Sequence, residues 1–343
     1  MRFSELIVAR VFFGLVLKLC AALLFSLALS AAHASSHETA SAEPAPPSAA
    51  QWFEQGQVAL VGGLFDESLQ LFRKAAALGS SAALAAIGDL HQAGLGVERS
   101  EREALVWYRK AAATGDAEGQ ARLGLALVRN GTAAELKTGL SLIRQAVAAN
   151  SSFAQYALGA LHLQGKGVPR DVDLAASLLD AAASRGEVLA QSLLGQMYLD
   201  GNGVQQHSAM AFELLSEAAR QGDAVAQSRL GAMFADGWGV ERNEHEAAYW
   251  FERAAERGNL DGQAQLAVLL LDSQQVRVDP LKAIDLLRQA AAGGNTLAQF
   301  HLALCFLEGR GVPQDPAQGQ SLLRQLAKAG LPEASTYLRE HSL

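Results

Sequence analysis

The sequence is poor in cysteine, proline and aromatic side chains, with two Cys, eight Pro and 6% Phe, Trp and Tyr among 343 residues. Cys20 falls in an apolar leader, so Cys305 is the single thiol of the mature chain and no intramolecular disulfide can form. The fold must therefore stand on packing. The mature histidines (His37, His91, His162, His207, His245, His301 and His341) are scattered and make no His-x-x-x-His pattern, and Cys-x-x-Cys is absent. Neither a metal site nor a cofactor site is expected. Basic charge is also short: 28 Lys and Arg stand against 35 Asp and Glu. Cleaving the leader removes Arg2, Arg10 and Lys18 against Glu5 alone, which leaves a chain more acidic still. Such a surface suits neither a nucleic-acid backbone nor an anionic membrane.

Long apolar runs are lacking too. The apolar stretch that culminates in residues 19–29 is too short for a comfortable membrane span and is followed by Ala32-His33-Ala34, a pattern that signal peptidase cuts. Residues 1–34 are expected to be a signal peptide cleaved near Ala34, giving a periplasmic protein with no membrane insertion afterwards. Leu17-Lys18-Leu19 before Cys20 lacks the small residue that lipoprotein processing reads. Residues 35–50 hold Pro44, Pro46 and Pro47 and no large apolar side chain, the composition of a disordered linker.

What the chain has in abundance is repetition. A small residue recurs at Ala104, Gly139, Ala175, Ala211, Ala247, Ala283 and Gly319, at spacings of 35 once and 36 thereafter. A second column runs Gly88, Gly124, Gly159, Gly195, Gly231, Ala267 and Ala303. A third, Gly79, Gly115, Asn150, Gly186, Gly222, Gly258, Gly294 and Gly330, closes each unit with the residue types that best tolerate a left-handed backbone. Within a unit, apolar residues fall at helical spacing in two blocks, so each unit is a helix hairpin. Ser100 with Glu103 and Asn243 with Glu246 read as capping boxes, and Asp279-Pro280 and Asp315-Pro316 as N-cap pairs.

These motifs resemble the Sel-one-like repeat family, relatives of tetratricopeptide repeats. They appear as Ala190-Gln191, Leu194-Gly195, Asp200-Gly201-Asn202-Gly203-Val204 and Ala218-Ala219, and again as Ala226-Gln227, Leu230-Gly231, Gly237-Trp238-Gly239-Val240 and Ala254-Ala255. The resemblance implies an all-α fold, a right-handed superhelical solenoid of two-helix repeats. Seven units span 80–330, preceded by a tetratricopeptide-like hairpin at 51–79 and followed by a capping helix at 331–343. Two inter-helix loops depart from the pattern: the one at Gly131 is a residue short, and the one at Gln275 lacks both glycines.

Five loops read Gly-x-Gly-Val, but they join two helices and recur once per unit, so they are turns rather than phosphate cradles. The residue between the glycines varies, and Lys166, Asn202, Trp238 and Arg310 are candidates for partner binding. Trp238 is either an interaction hot spot or a ring folded back on its own hairpin. Arg122, Arg229, Gln265 and His301, two residues before the Leu-Gly column, are expected on the concave side. The Gln column (Gln120, Gln155, Gln191, Gln227, Gln263 and Gln299) is read as satisfying backbone groups. Cys305 is read as a buried small hydrophobe.

No nucleophile with a base and an orienting group can be assembled, so a non-enzyme is expected. Secreted bacterial members of the family resemble adaptors in envelope complexes, and the expected function is a periplasmic protein-interaction scaffold. A peptidoglycan- or exopolysaccharide-binding module is the alternative. A cysteine-rich branch of the family is associated with β-lactams, but the paired cysteines it relies on are missing here.

Overall fold

Capping chemistry sets the helix boundaries. In the computed structural model, which describes residues 46–341 apart from residue 274, seventeen α-helices and no strand occur among the described residues. They are α1 (Ala49–Val61), α2 (Phe65–Ala77), α3 (Ser81–Ala93), α4 (Glu101–Ala113), α5 (Ala117–Asn130), α6 (Ala133–Ala148), α7 (Ser152–Gln164), α8 (Val172–Ala183), α9 (Val188–Asp200), α10 (Ser208–Arg220), α11 (Ala224–Asp236), α12 (Glu244–Glu256), α13 (Leu260–Asp272), α14 (Pro280–Ala292), α15 (Thr296–Glu308), α16 (Pro316–Lys328) and α17 (Pro332–Glu340). The chain divides into two units, 1–47 and 48–343, and all seventeen helices belong to the second. The expected signal peptide and its cleavage point lie outside the described residues. The linker expected over 35–50 ends earlier than that, because Ser48 caps a helix that already takes in Ala49 and Ala50. Ser100 and Asn243 cap their helices by accepting backbone N–H groups, but the reciprocal bond of a capping box forms elsewhere, at Ser48 with Gln51 and at Thr132 with Glu135.

The helices pair in sequence order, and the small-residue columns explain how closely. A Cβ placed at Gly195 would lie 2.8 Å from Leu215 Cγ, one at Gly231 2.7 Å from Phe251 Cδ1, and one at Gly88 2.5 Å from Tyr108 Cε1. Each of these three glycines thus receives the large side chain twenty residues on, from the second helix of the same hairpin. Leu215 and Phe251 are consequently buried, each stabilising the fold by roughly 1.5–3 kcal/mol. Where both columns hold glycine, at Gly124 and Gly139, the two backbones touch: a Cβ on either would press on the other's carbonyl oxygen.

The Gly-x-Gly-Val loops connect the hairpins as well as the helices. The second glycine adopts a positive φ and sits against the start of the preceding repeat's second helix; a Cβ on Gly239 would lie 2.8 Å from Ser208 O, and one on Gly311 2.6 Å from Pro280 O. The following valine enters the core, with Val168 and Val312 buried. No helix among the described residues is long and apolar enough to cross a membrane.

Candidate functional site

First helices of successive repeats pack on one another (α3 on α5, α5 on α7, and so on to α13 on α15), whereas second helices of neighbouring repeats do not pack to a comparable extent. The stack is tighter along its first helices, so that side is the concave one. Its turns are tied by the Gln column. Gln191, Gln227 and Gln299 each donate through Nε2 to a carbonyl eight residues earlier (Ala183, Ala219 and Ala291), in the last turn of the preceding second helix.

Near the N-terminal end the inner face carries a polar network. Tyr108 donates to Asp89 Oδ1 at 2.8 Å, and Arg122 pairs with Asp89 at 2.6 Å and with Glu118 at 2.7 Å. The Arg122 guanidinium also lies 4.1 Å from the centre of the Phe153 ring. Burial pushes the Asp89 carboxyl up, and Arg122 only partly counters it. The Glu187 carboxyl is likewise pushed up by burial, with Arg122 opposing and Glu118 and Asp89 reinforcing the shift. Charges from three successive hairpins thus act on one another across this face. Farther along, Asp223 is raised by burial while accepting from Ala226 N and from Ser192 Oγ, both at 2.7 Å.

The residues expected to contact a partner divide into two groups. Trp238 stands at its loop tip with 53% of its surface exposed, and Arg229 is exposed on α11. Gln265 and Asn202 are half-buried. The others are engaged within the protein. Lys166 Nζ donates to Arg129 O at 3.0 Å, reaching the shortened loop of the preceding hairpin. Arg310 pairs with Asp272, and its Nε lies 2.6 Å from Glu308. Arg122 belongs to the network above. His301 is half-buried edge-on to Phe300, and burial lowers the basicity of its ring.

Sequence reasoning passed over Asp89, Glu187, Asp223, Glu244 and Arg257. Their signal was faint but present: Arg257 occupies the column of Gln221, one repeat later, and Asp89 holds a column position filled elsewhere by Leu125, Ala160 and Val268. A charged residue where neighbouring repeats carry uncharged ones marks a specific contact. Among the described residues no three metal-ligating side chains converge, and the recesses are shallow, one lined by Asn259, Asp261 and Asn295, another by Lys137, Ser141 and Arg144. Such geometry can bind along a face.

The family model of the Sel1 repeat matches residues 49–80, 81–116, 152–187, 188–223, 224–259, 260–295 and 296–331. These seven segments include the N-terminal hairpin, set apart above as tetratricopeptide-like, and pass over the hairpin of 117–151. No curated protein matches the chain. Among solved structures, a Sel1 repeat protein from Oxalobacter formigenes is 30% identical with a TM-score of 0.53, over 85% of this chain and 87% of that one. The protein c5321, a protective antigen present in uropathogenic Escherichia coli strains and displaying an SLR fold, is 29% identical with a TM-score of 0.54 over 84% of this chain. The match spans 63% of that antigen's length.

Proposed function

The chain belongs to the Sel1 repeat family, whose members generally mediate protein–protein interaction, and from that premise we propose that it is an exported, non-catalytic scaffold for cell-envelope proteins. The observation that carries this reading is the face built by the stacked first helices, with Arg229 exposed on α11 and Trp238 exposed at the loop that follows it. A large aromatic ring half in water at a loop tip is an anchor for a partner's apolar pocket. Export rests on the leader sequence, with its short apolar core and Ala32-His33-Ala34.

Site-specific photo-crosslinking in the native cell tests the proposal. A photoreactive residue placed at Trp238 or Arg229 should capture a discrete envelope protein, and one placed at Arg144, on a second helix, should not. Fractionation of the same cells should recover the protein from the periplasm with Ser35 near its N-terminus. Capture of no protein, with co-sedimentation on cell-wall sacculi, would transfer the reading to glycan binding.

A further inference from the structure

Among the described residues Arg257 makes a contact unlike any other. It follows α12, at the turn into α13, yet its guanidinium reaches the N-terminal hairpin, where Nη1 donates to Leu60 O at 3.1 Å and Nη2 to Val61 O. It also lies 5.6 Å from the centre of the Phe65 ring. These carbonyls belong to the last turn of α1, where helical hydrogen bonding runs out and the helix dipole favours a cation. The contact spans nearly 200 residues of sequence, so the solenoid has curved far enough for its sixth hairpin to meet its first.

The preceding repeat offers a local alternative for the same position. In the preceding repeat the equivalent residue is Gln221, whose Nε2 donates to Gln191 Oε1 at 3.3 Å and stays within its own stack. One repeat later the same acceptor is Gln227 Oε1, which is buried and has no hydrogen-bond partner among the described residues. The same oxygen is unpartnered at Gln155 and Gln263, so at Gln227 it stands free to accept from a donor at position 257. The turn also leaves room for that path: a Cβ on Gly222 would sit 3.2 Å from Arg257 Nη2. Around the guanidinium, Arg253 repels while Glu256 and Asp223 attract. The hairpin α1–α2 packs otherwise on its sequence neighbour, through α3 and the loop at Gly96, and among the described residues the Arg257 bonds are its side-chain hydrogen bonds to the sixth hairpin.

We infer that Arg257 is a latch: bonded to the carbonyls of α1 it closes the superhelix on its own N-terminal hairpin, and bonded to Gln227 it releases the hairpin and lets the superhelix open. The inference does not depend on any partner. Closed and open forms differ in one donor's choice between two sets of acceptors, the small free-energy gap that a two-state element needs.

The test is a distance. Spin labels at Gln70→Cys on α2 and Glu246→Cys on α12, in the full chain with Cys20→Ser and with Cys305 buried, report the separation of the two hairpins by double electron–electron resonance. The parent protein should give one narrow distribution. Arg257→Gln installs the residue of the preceding repeat and can bond Gln227, so it should keep helicity while shifting the distribution to longer, broader distances. Arg257→Gln combined with Gln227→Leu should open it equally, and Gln227→Leu alone should leave it closed. An unchanged distribution in folded Arg257→Gln overturns the latch, as does opening by Gln227→Leu alone.

Discussion

The two irregular joints of the stack solve one problem by different chemistry. A helix ending inside a solenoid leaves carbonyls and N–H groups that need partners, and the regular joints meet that need with a left-handed glycine pair. At Gly131 the loop is too short for the pair. Thr132 and Glu135 form a capping box, the chain leaves α5 in an extended conformation, and Lys166 reaches back to Arg129 O. At Ser273 both glycines are missing, and a carboxylate takes over: Ser273 Oγ accepts from the N–H groups of Gln275 and Val276 while donating to Glu244 Oε2 at 2.5 Å. Glu244, buried at the start of α12, is held in turn by Arg242 at 2.7 Å. Glycine joints are insensitive to pH, and the Ser273 joint is tied to an ionised group.

The contrast can be broken most severely at a regular repeat. Gly195→Leu drives a side chain into Leu215 and should cost about 1–3 kcal/mol, read as a lowered midpoint in urea unfolding. Unchanged stability would contradict the packing described for the glycine column. Next in size is Glu244→Ala, which leaves the Ser273 hydroxyl without its acceptor. A loss of about 1–2 kcal/mol is expected, with amide exchange quickening first at Gln275 and Val276.

A pH titration of thermal unfolding separates two carboxylates of opposite sign. The Glu244 carboxyl is held below its ordinary range, chiefly by the Ser273 hydroxyl. Its contribution is present above the unfolded-state value and disappears as pH falls through the folded-state one, so Glu244→Gln should flatten the acid limb. Asp223 is raised by burial, so its contribution is complete at acid pH and is lost as pH rises through the folded-state value. Asp223→Asn keeps an acceptor for Ser192 and Ala226 and should flatten that decline; identical pH profiles for both variants and the parent would remove the distinction. The smallest effect belongs to Lys166→Met, whose exposed bond to the short loop should contribute within about 0.5 kcal/mol.

Much of this architecture was legible as repetition. The columns through Gly195, Ala211 and Gly222 reported local packing and turns, which recur because each hairpin meets the same neighbours. Asn150 is a good case: it fills a glycine column and is the one non-glycine residue with a positive φ among those described. The Gln column was read as backbone-satisfying, but its acceptor, a carbonyl of the preceding second helix, depends on the turn geometry. What lay beyond the sequence was curvature. Whether Arg257 meets Leu60, or Glu187 feels the charge of Asp89, is set by small rotations summed over several joints, and no single repeat encodes that sum. Lys166 and Arg310 show the same limit on a shorter scale, since their loop positions gave no sign that each would bond the repeat before it.

The nearest-neighbour stacking of first helices has a mechanical side. In such a quasi-one-dimensional array helix packing at each joint bears chiefly on the next, the Arg257 bonds to α1 apart, so small angular play at successive joints adds along the chain. An array of this kind is expected to act as a spring: once the Arg257 bonds part, tension between its ends is taken up as a change of pitch shared over many joints, while every hairpin stays folded.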